Sequence, residues 1–317
     1  MILKFDDVKK ITRGAVSISE NDDGYVFDKC TERQIDAWYA YSEPLGMRAR
    51  TTSGIRLDFV TNSKKFGFTV ATGGKFELRI NGILRDKVTE IGKKVYTLCD
   101  VRGAALKKCR VTLIFPSHSI GKIKDVELDD GASFEPLTYS KRLLFIGDSI
   151  TQGWNSEFDS LSYAWRVTDY FDADSVINGI GGAFFSVSTF DKPDFDPDAV
   201  IVAYGTNDFT RGNTIPEKEE QVRGYLDLIK EAYADKKVIV ISPIWRGDAN
   251  GNNMRDEFHT FRLTIENEAQ KRGFYAISGL SLVPPMPSFY ADTYLHPNDV
   301  GFSLFAENLI EQIKNII

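Results

Sequence analysis

Three runs of consecutive apolar residues, Leu143–Ile146, Ala199–Ala203 and Val238–Ile241, limit what the C-terminal part of this chain can become. A strand that is apolar at every position needs cover on both faces, which points to a parallel sheet held between two layers of helix. The segments between and after these runs supply the helices. Met254, Phe258, Phe261, Ile265 and Ala269 are spaced by three and four, as are Phe302, Phe305, Leu309, Ile313 and Ile316. Strand alternating with helix makes residues 139–317 a three-layer α/β/α domain.

The first part of the chain follows another pattern. Ile55, Leu57 and Phe59 alternate with Arg56 and Asp58, the period of a strand with one wet face. Phe66, Phe68 and Val70 repeat it, as do Phe76, Leu78 and Ile80, then Val111, Leu113 and Phe115. Asn81-Gly82, directly after the third set, accepts the positive φ of a tight hairpin. Short strands, clear turns and almost no helical periodicity predict an all-β jelly roll or sandwich over residues 1–138. No repeat or low-complexity linker separates the two domains, so they are expected to pack directly together.

Several classes of function are disfavoured. No apolar run approaches the ~20 residues of a membrane helix, and MILKFDDVKK at the N-terminus lacks the apolar stretch of a signal peptide. The cysteines, Cys30, Cys99 and Cys109, are odd in number and include no C-x-x-C pair. That argues against a disulfide framework or zinc ribbon and fits a cytoplasmic protein. Residues 1–138 hold 23 Lys+Arg against 19 Asp+Glu, a net +4; the remainder holds 16 against 26, a net −10 within the overall −6. Such a C-terminal domain repels phosphate backbones, so neither nucleic acid nor membrane is the expected partner.

Candidate chemistry gathers at the ends of the strands, where open α/β sheets place their ligands. The first strand runs into Gly147-Asp148-Ser149-Ile150, the second into Asn178-Gly179-Ile180-Gly181-Gly182-Ala183, and the third into Gly205-Thr206-Asn207-Asp208. Glycines in the second segment let backbone approach a ligand closely and offer a bare N–H. Asp292-Thr293-Tyr294-Leu295-His296-Pro297-Asn298 precedes the last helix. Of the three histidines, His118 falls in the β domain and His259 beside the apolar stripe of a helix, which leaves His296 as the imidazole placed for general-base work. Asp148 reads as a turn-former and Asp208 as a structural residue. No H-E-x-x-H pair or P-loop is present, so neither a metal nor a cofactor is expected.

These four segments occur in the order and approximate spacing of the SGNH hydrolase superfamily, the GDSL-type esterases and lipases, which the C-terminal domain resembles. With the β domain in front, the chain also resembles carbohydrate-esterase family two and related two-domain acetyl esterases. The resemblance implies a flavodoxin-like fold with Ser149 as nucleophile and His296 as its base. It also implies an oxyanion hole made of the Ser149 and Gly182 N–H groups and the Asn207 amide. The family's orienting aspartate usually stands three residues before the histidine, where this chain has Thr293. Either Asp292, four residues before, reaches His296 through the added loop residue, or a backbone carbonyl orients the ring and the site is a Ser–His dyad. Trp154 and Trp245 are candidate walls for an acyl or sugar group, with core packing as the alternative.

The expected function is therefore that of a serine esterase removing short acyl groups, acetyl foremost, from a small-molecule or oligosaccharide ester. A lysophospholipase or thioesterase on the same scaffold is the alternative enzyme, although no exposed apolar stretch is available to build a long-chain channel. An inactive carbohydrate-binding module is the alternative of another class. The joint presence of Ser149, Asn207 and His296 speaks against it.

Overall fold

The computed structural model describes residues 1–250 and 254–317. Strands Lys141–Gly147, Ala173–Gly179, Ala199–Ala203, Lys237–Ile241 and Tyr275–Ile277 form a parallel sheet. Its order is second, first, third, fourth, fifth. That order reverses direction between the first and third strands, and the crevice at their carboxyl ends is the place where such sheets carry their sites.

The helices in chain order are α1 (Phe5–Ile11), α2 (Glu32–Tyr41), α3 (Glu43–Ala49), α4 (Ser149–Gln152), α5 (Tyr163–Tyr170), α6 (Thr206–Thr210), α7 (Ile215–Ala232), α8 (Met254–Lys271) and α9 (Asp299–Ile313). Alternate residues of the apolar runs divide between the two faces of the parallel sheet. Leu143, Phe145, Ile201 and Ile239 bury against α5 and α9. Leu144, Ile146, Val202 and Val240 bury against α7 and α8 on the other side. The continuous runs thus become two layers of core, as their composition requires.

Ahead of this unit, two antiparallel sheets face each other. One is built on Arg56–Thr61, Cys109–Ile114, Phe76–Ile80 and Ile83–Val88, with Thr12–Arg13 and Phe134–Pro136 at its margin. The other orders Ser17–Asn21, Gly24–Asp28, Ile123–Leu128, Lys65–Val70 and Gly92–Thr97. Phe59 and Phe66 meet between them, with ring centroids 5.7 Å apart, and α1 covers the same core through Val8 and Ile11. Asn81 (φ 51°) and Gly82 (φ 79°) form the two-residue hairpin that their sequence favours.

Two expectations about this N-terminal part need correction. It is not nearly free of helix. Thr31 and Gln34 cap α2 reciprocally, and Ser42 with Pro44 opens α3. These helices do not join the β core. Ile35, Trp38, Leu45 and Ala49 pack with α7, α8 and the parallel sheet. Nor is the outer face of the Arg56–Thr61 strand wet. Arg56 and Asp58 are 2% and 0% exposed because that face docks onto the α/β unit. Arg56 donates to the Ala173 carbonyl and lies over the rings of Tyr139 and Trp165. Asp58 accepts from Arg56, Arg110, Thr112 and Tyr139. Alternation shows which residues point away from one core but cannot show that a second domain covers them. Among the described residues no helix is long and apolar enough to cross a membrane.

Candidate active site

The first parallel strand ends at Gly147, and Asp148 caps α4 by accepting from the Ile150 N–H at 2.9 Å. This turn places Ser149 at the first position of α4, where a backbone N–H has no acceptor within the helix. Burial pushes the Asp148 carboxyl up to about 7, in keeping with a structural cap. A side chain at Gly179 would strike the Gln152 backbone at 2.3 Å, so glycine there is what lets α4 sit on the end of the second strand.

Ser149 Oγ and His296 Nε2 are 2.9 Å apart. On the other side of the ring, Nδ1 lies 2.6 Å from Asp292 Oδ2. A carboxylate at Nδ1 keeps the proton there, so Nε2 is the acceptor for the serine hydroxyl. Asp292 Oδ1 in turn accepts from the backbone N–H groups of Tyr294, Leu295 and His296. Burial pushes the Asp292 carboxyl up, but the Leu295 N–H, the His296 ring and the remaining N–H groups outweigh it and hold it below the ordinary value. The extra residue of this loop is absorbed at Thr293, whose φ of 71° turns the chain into the left-handed region. The structure therefore brings Asp292, not a backbone carbonyl, to the imidazole. Such a relay can withdraw a proton from Ser149 and keep the resulting imidazolium stable.

The glycine loop is a β-turn in which the Ala183 N–H donates to the Ile180 carbonyl at 2.9 Å. Gly182 occupies the position that demands positive φ (87°). The Gly181 N–H is taken by Gln152 Oε1 at 2.6 Å. Asn207 follows the third strand, and its Nδ2 donates to the Ala183 carbonyl at 2.8 Å. That bond fixes the amide plane and leaves one amide hydrogen. Asp208 is buried, accepts from the Phe185 N–H at 2.9 Å, and is pushed up to about 7 by burial.

Trp154 stands in the site, its ring 6.4 Å from that of His296. Trp245 lies against Tyr290 and Gly247 and helps line a cavity with His259.

The N-terminal part contributes more than composition and spacing disclosed. The His118 ring packs edge-on against Trp154 at 5.1 Å, and burial, with Lys75 and Lys29 nearby, lowers its pKa to about 4. It is a neutral imidazole at pH 7. Arg48 lies over the Trp154 ring, 5.4 Å from its centroid, and donates to the Gly181 carbonyl at 3.0 Å. Gln152 Nε2 donates to the Ser117 carbonyl and to Thr51 Oγ1. Beneath them Lys29, fully buried, donates to Thr51, Ser53 and the Arg48 carbonyl. The sequence signals for this network are the capping residues of α2 and α3, since nothing in the β pattern marks residues 48–53 or 117–118.

The model of the GDSL-like Lipase/Acylhydrolase family matches residues 145–304. No curated protein sequence matches the chain. Among solved structures, a salicylyl-acyltransferase from a tetracycline biosynthetic pathway is similar at a TM-score of 0.78 and 19% identity, covering 96% of this chain and 94% of its own. A family two carbohydrate esterase from Cellvibrio japonicus gives 0.67 and 15%, covering 98% and 96%. An acetyl xylan esterase from the rumen bacterium Butyrivibrio proteoclasticus gives 0.64 and 15%, covering 99% and 98%.

Proposed function

The chain belongs to the GDSL-like lipase/acylhydrolase family, and from that premise we propose that it is a serine esterase removing short acyl groups, acetyl foremost, from carbohydrate. The observation that carries this reading is the unbroken hydrogen-bonded series Ser149, His296, Asp292 at 2.9 and 2.6 Å. Ser149 Oγ attacks the ester carbonyl carbon as His296 Nε2 takes its proton. The carbonyl oxygen becomes an oxyanion facing the Ser149 and Gly182 N–H groups and the free amide hydrogen of Asn207. One such donor is worth about 10²–10³ in turnover. Collapse expels the alcohol, which receives the proton from His296 and leaves an acyl-Ser149 ester. Water, deprotonated by the same nitrogen, then releases the carboxylic acid and restores the serine.

Carbohydrate as the alcohol is supported by the whole-chain likeness in fold to a family two carbohydrate esterase and an acetyl xylan esterase. The wall formed by Trp154, His118 and Arg48 fits it too, since an aromatic face flanked by polar groups suits the mixed C–H and hydroxyl surface of a sugar.

The test is hydrolysis of 4-nitrophenyl esters of two, four, eight and twelve carbons by wild type and Ser149→Ala. The expected result is activity highest on acetate and reduced at least ~10³-fold in the variant, followed by acetate release from acetylated oligosaccharides. A maximum at eight or twelve carbons would transfer the enzyme to lipid or thioester substrates. Activity that survives in Ser149→Ala would remove the nucleophile assignment.

A further inference from the structure

Helix α3 lies directly against the glycine loop. Leu45 and Arg48, three residues apart and so on one helix face, both reach it. A methyl group at Gly182 would meet Leu45 Cδ2 at 3.3 Å and Arg48 Nη1 at 3.1 Å, and one at Gly181 would meet Arg48 Cδ at 3.2 Å. Leu45 is buried in the core it shares with the parallel sheet. The Arg48 carbonyl accepts from Lys29 Nζ at 3.1 Å and from Thr51 Oγ1 at 2.9 Å, which pins the backbone that carries the guanidinium.

The guanidinium is itself held at two places, over the Trp154 ring at 5.4 Å and on the Gly181 carbonyl at 3.0 Å. Among the described residues it has no carboxylate partner. The Gly181 carbonyl and the Gly182 N–H are the two ends of one trans peptide and point in opposite directions. A cation bonded to that carbonyl therefore lies behind the N–H. It fixes the plane of the peptide and draws electron density from the amide, so that the N–H donates more strongly. The neighbouring amides are engaged, the Gly181 N–H with Gln152 and the Ala183 N–H with Ile180. The Gly182 N–H has no partner among the described residues.

We propose that Arg48 is a positioning residue of the oxyanion hole, holding and polarising the Gly181–Gly182 peptide so that its N–H is a fixed and strengthened donor to the charge that develops in acyl transfer. A residue of the N-terminal part then tunes the chemistry of the α/β domain. The inference rests on the esterase reading and on its assignment of Gly182.

Because 4-nitrophenyl acetate carries no sugar, its turnover separates this role from contact with a carbohydrate. Wild type, Ser149→Ala, Arg48→Gln, Arg48→Lys and Arg48→Ala are compared by steady-state kinetics, with a melting temperature for each. Arg48→Gln should lower kcat about tenfold with KM nearly unchanged, less than the loss of an oxyanion donor, since Arg48 acts through the peptide. Arg48→Lys should keep more of the activity, and methylguanidine added to Arg48→Ala should restore part of it. Inhibition by methylboronic acid is the second readout. Ser149 Oγ adds to boron as its proton passes to His296, which gives a tetrahedral boronate anion with one oxygen at the oxyanion position. Arg48→Gln should weaken that inhibition by about the same factor as kcat. An unchanged kcat, an unchanged boronate affinity, or a loss that follows melting temperature and ignores methylguanidine overturns the role of Arg48 and leaves the esterase reading standing. Wild-type hydrolysis that does not depend on Ser149 overturns the esterase reading, and this inference with it.

Discussion

The histidine loop shows how one residue's backbone angle can set a side chain's partner. With Thr293 in the left-handed region, Asp292 turns back so that one carboxylate oxygen holds three successive N–H groups and the other meets His296. Asp292→Asn should lower kcat by about 10²–10⁴, since the imidazole loses its fixed tautomer. Steady-state kinetics against wild type will show whether a backbone group takes over. A β-branched residue at positive φ is strained, and asparagine tolerates that region better. Thr293→Asn, at an exposed position, should therefore raise stability by about 0.5–1 kcal/mol in a urea titration, with kcat retained. Lys29 offers a pH test. Burial, opposed by Cys30, Asp159 and Asp28, lowers its pKa to about 8 from 10.5. Below pH 8 both folded and unfolded chains carry its proton. Between about pH 8 and 10.5 the folded chain releases it first, so the unfolded chain binds more protons and stability rises with pH. Wild type should gain stability on Lys29→Met across that window, and a gap constant with pH would refute the assignment.

At the scale of elements, the site depends on α4 being tied to the glycine loop. Gln152, at the end of α4, accepts from the Gly181 N–H and donates to Ser117 and Thr51 of the N-terminal part. One amide thus holds the nucleophile's helix, the turn carrying Gly182 and the β-rich half in common register. Replacing it with leucine should reduce kcat by about 10²-fold while KM moves little, because a displacement of about 1 Å harms the transition state more than substrate binding. Parallel loss of kcat and a large rise in KM would instead indicate general collapse of the cleft. The elements differ in how plainly the sequence announces them. The apolar runs at 143–146, 199–203 and 238–241 and the spacing of α8 and α9 could be read directly, because burial on two faces or on one stripe leaves a periodic trace. Helices α2 and α3 leave a fainter trace, since each is short and its strongest marks are caps rather than an apolar period.

On the scale of the whole molecule, the two parts share cores as well as a surface. Trp38 is 1% exposed among residues of α7 and the parallel sheet, Ile114 packs with the α5 and α9 layer, and Asp159 accepts from the Gly54 N–H at 2.7 Å. Calorimetry should accordingly show one cooperative transition rather than two. Trp38→Ala, though it lies in the N-terminal part, should cost about 3–5 kcal/mol and destabilise the α/β layer with it. A fragment of residues 139–317 would expose the surface that α2, α3 and the Arg56–Asp58 face cover, and should not yield a stable esterase. Two separate transitions, or an active fragment, would mean that the shared packing contributes little.

The sequence by itself determined the layers. Hydrophobic period decides which faces are buried, and turn residues such as Asn81-Gly82 decide where strands reverse, because both are local properties of the chain. Motifs at strand ends, and the family resemblance they carry, also singled out Ser149, Gly182, Asn207 and His296, of which Ser149 and His296 meet at 2.9 Å. Tertiary structure alone decided that Asp292 and not a carbonyl reaches the imidazole. It likewise decided that Arg56 and Asp58 are buried charges, and that His118, Arg48 and Gln152 converge on Trp154 and the glycine loop. The first turns on the backbone angle of Thr293 within one loop, whereas the other two depend on segments 35 to more than 100 residues apart meeting across the interface between the two parts. Long-range contact of that kind leaves no period in the sequence and is selected only when the whole surface closes.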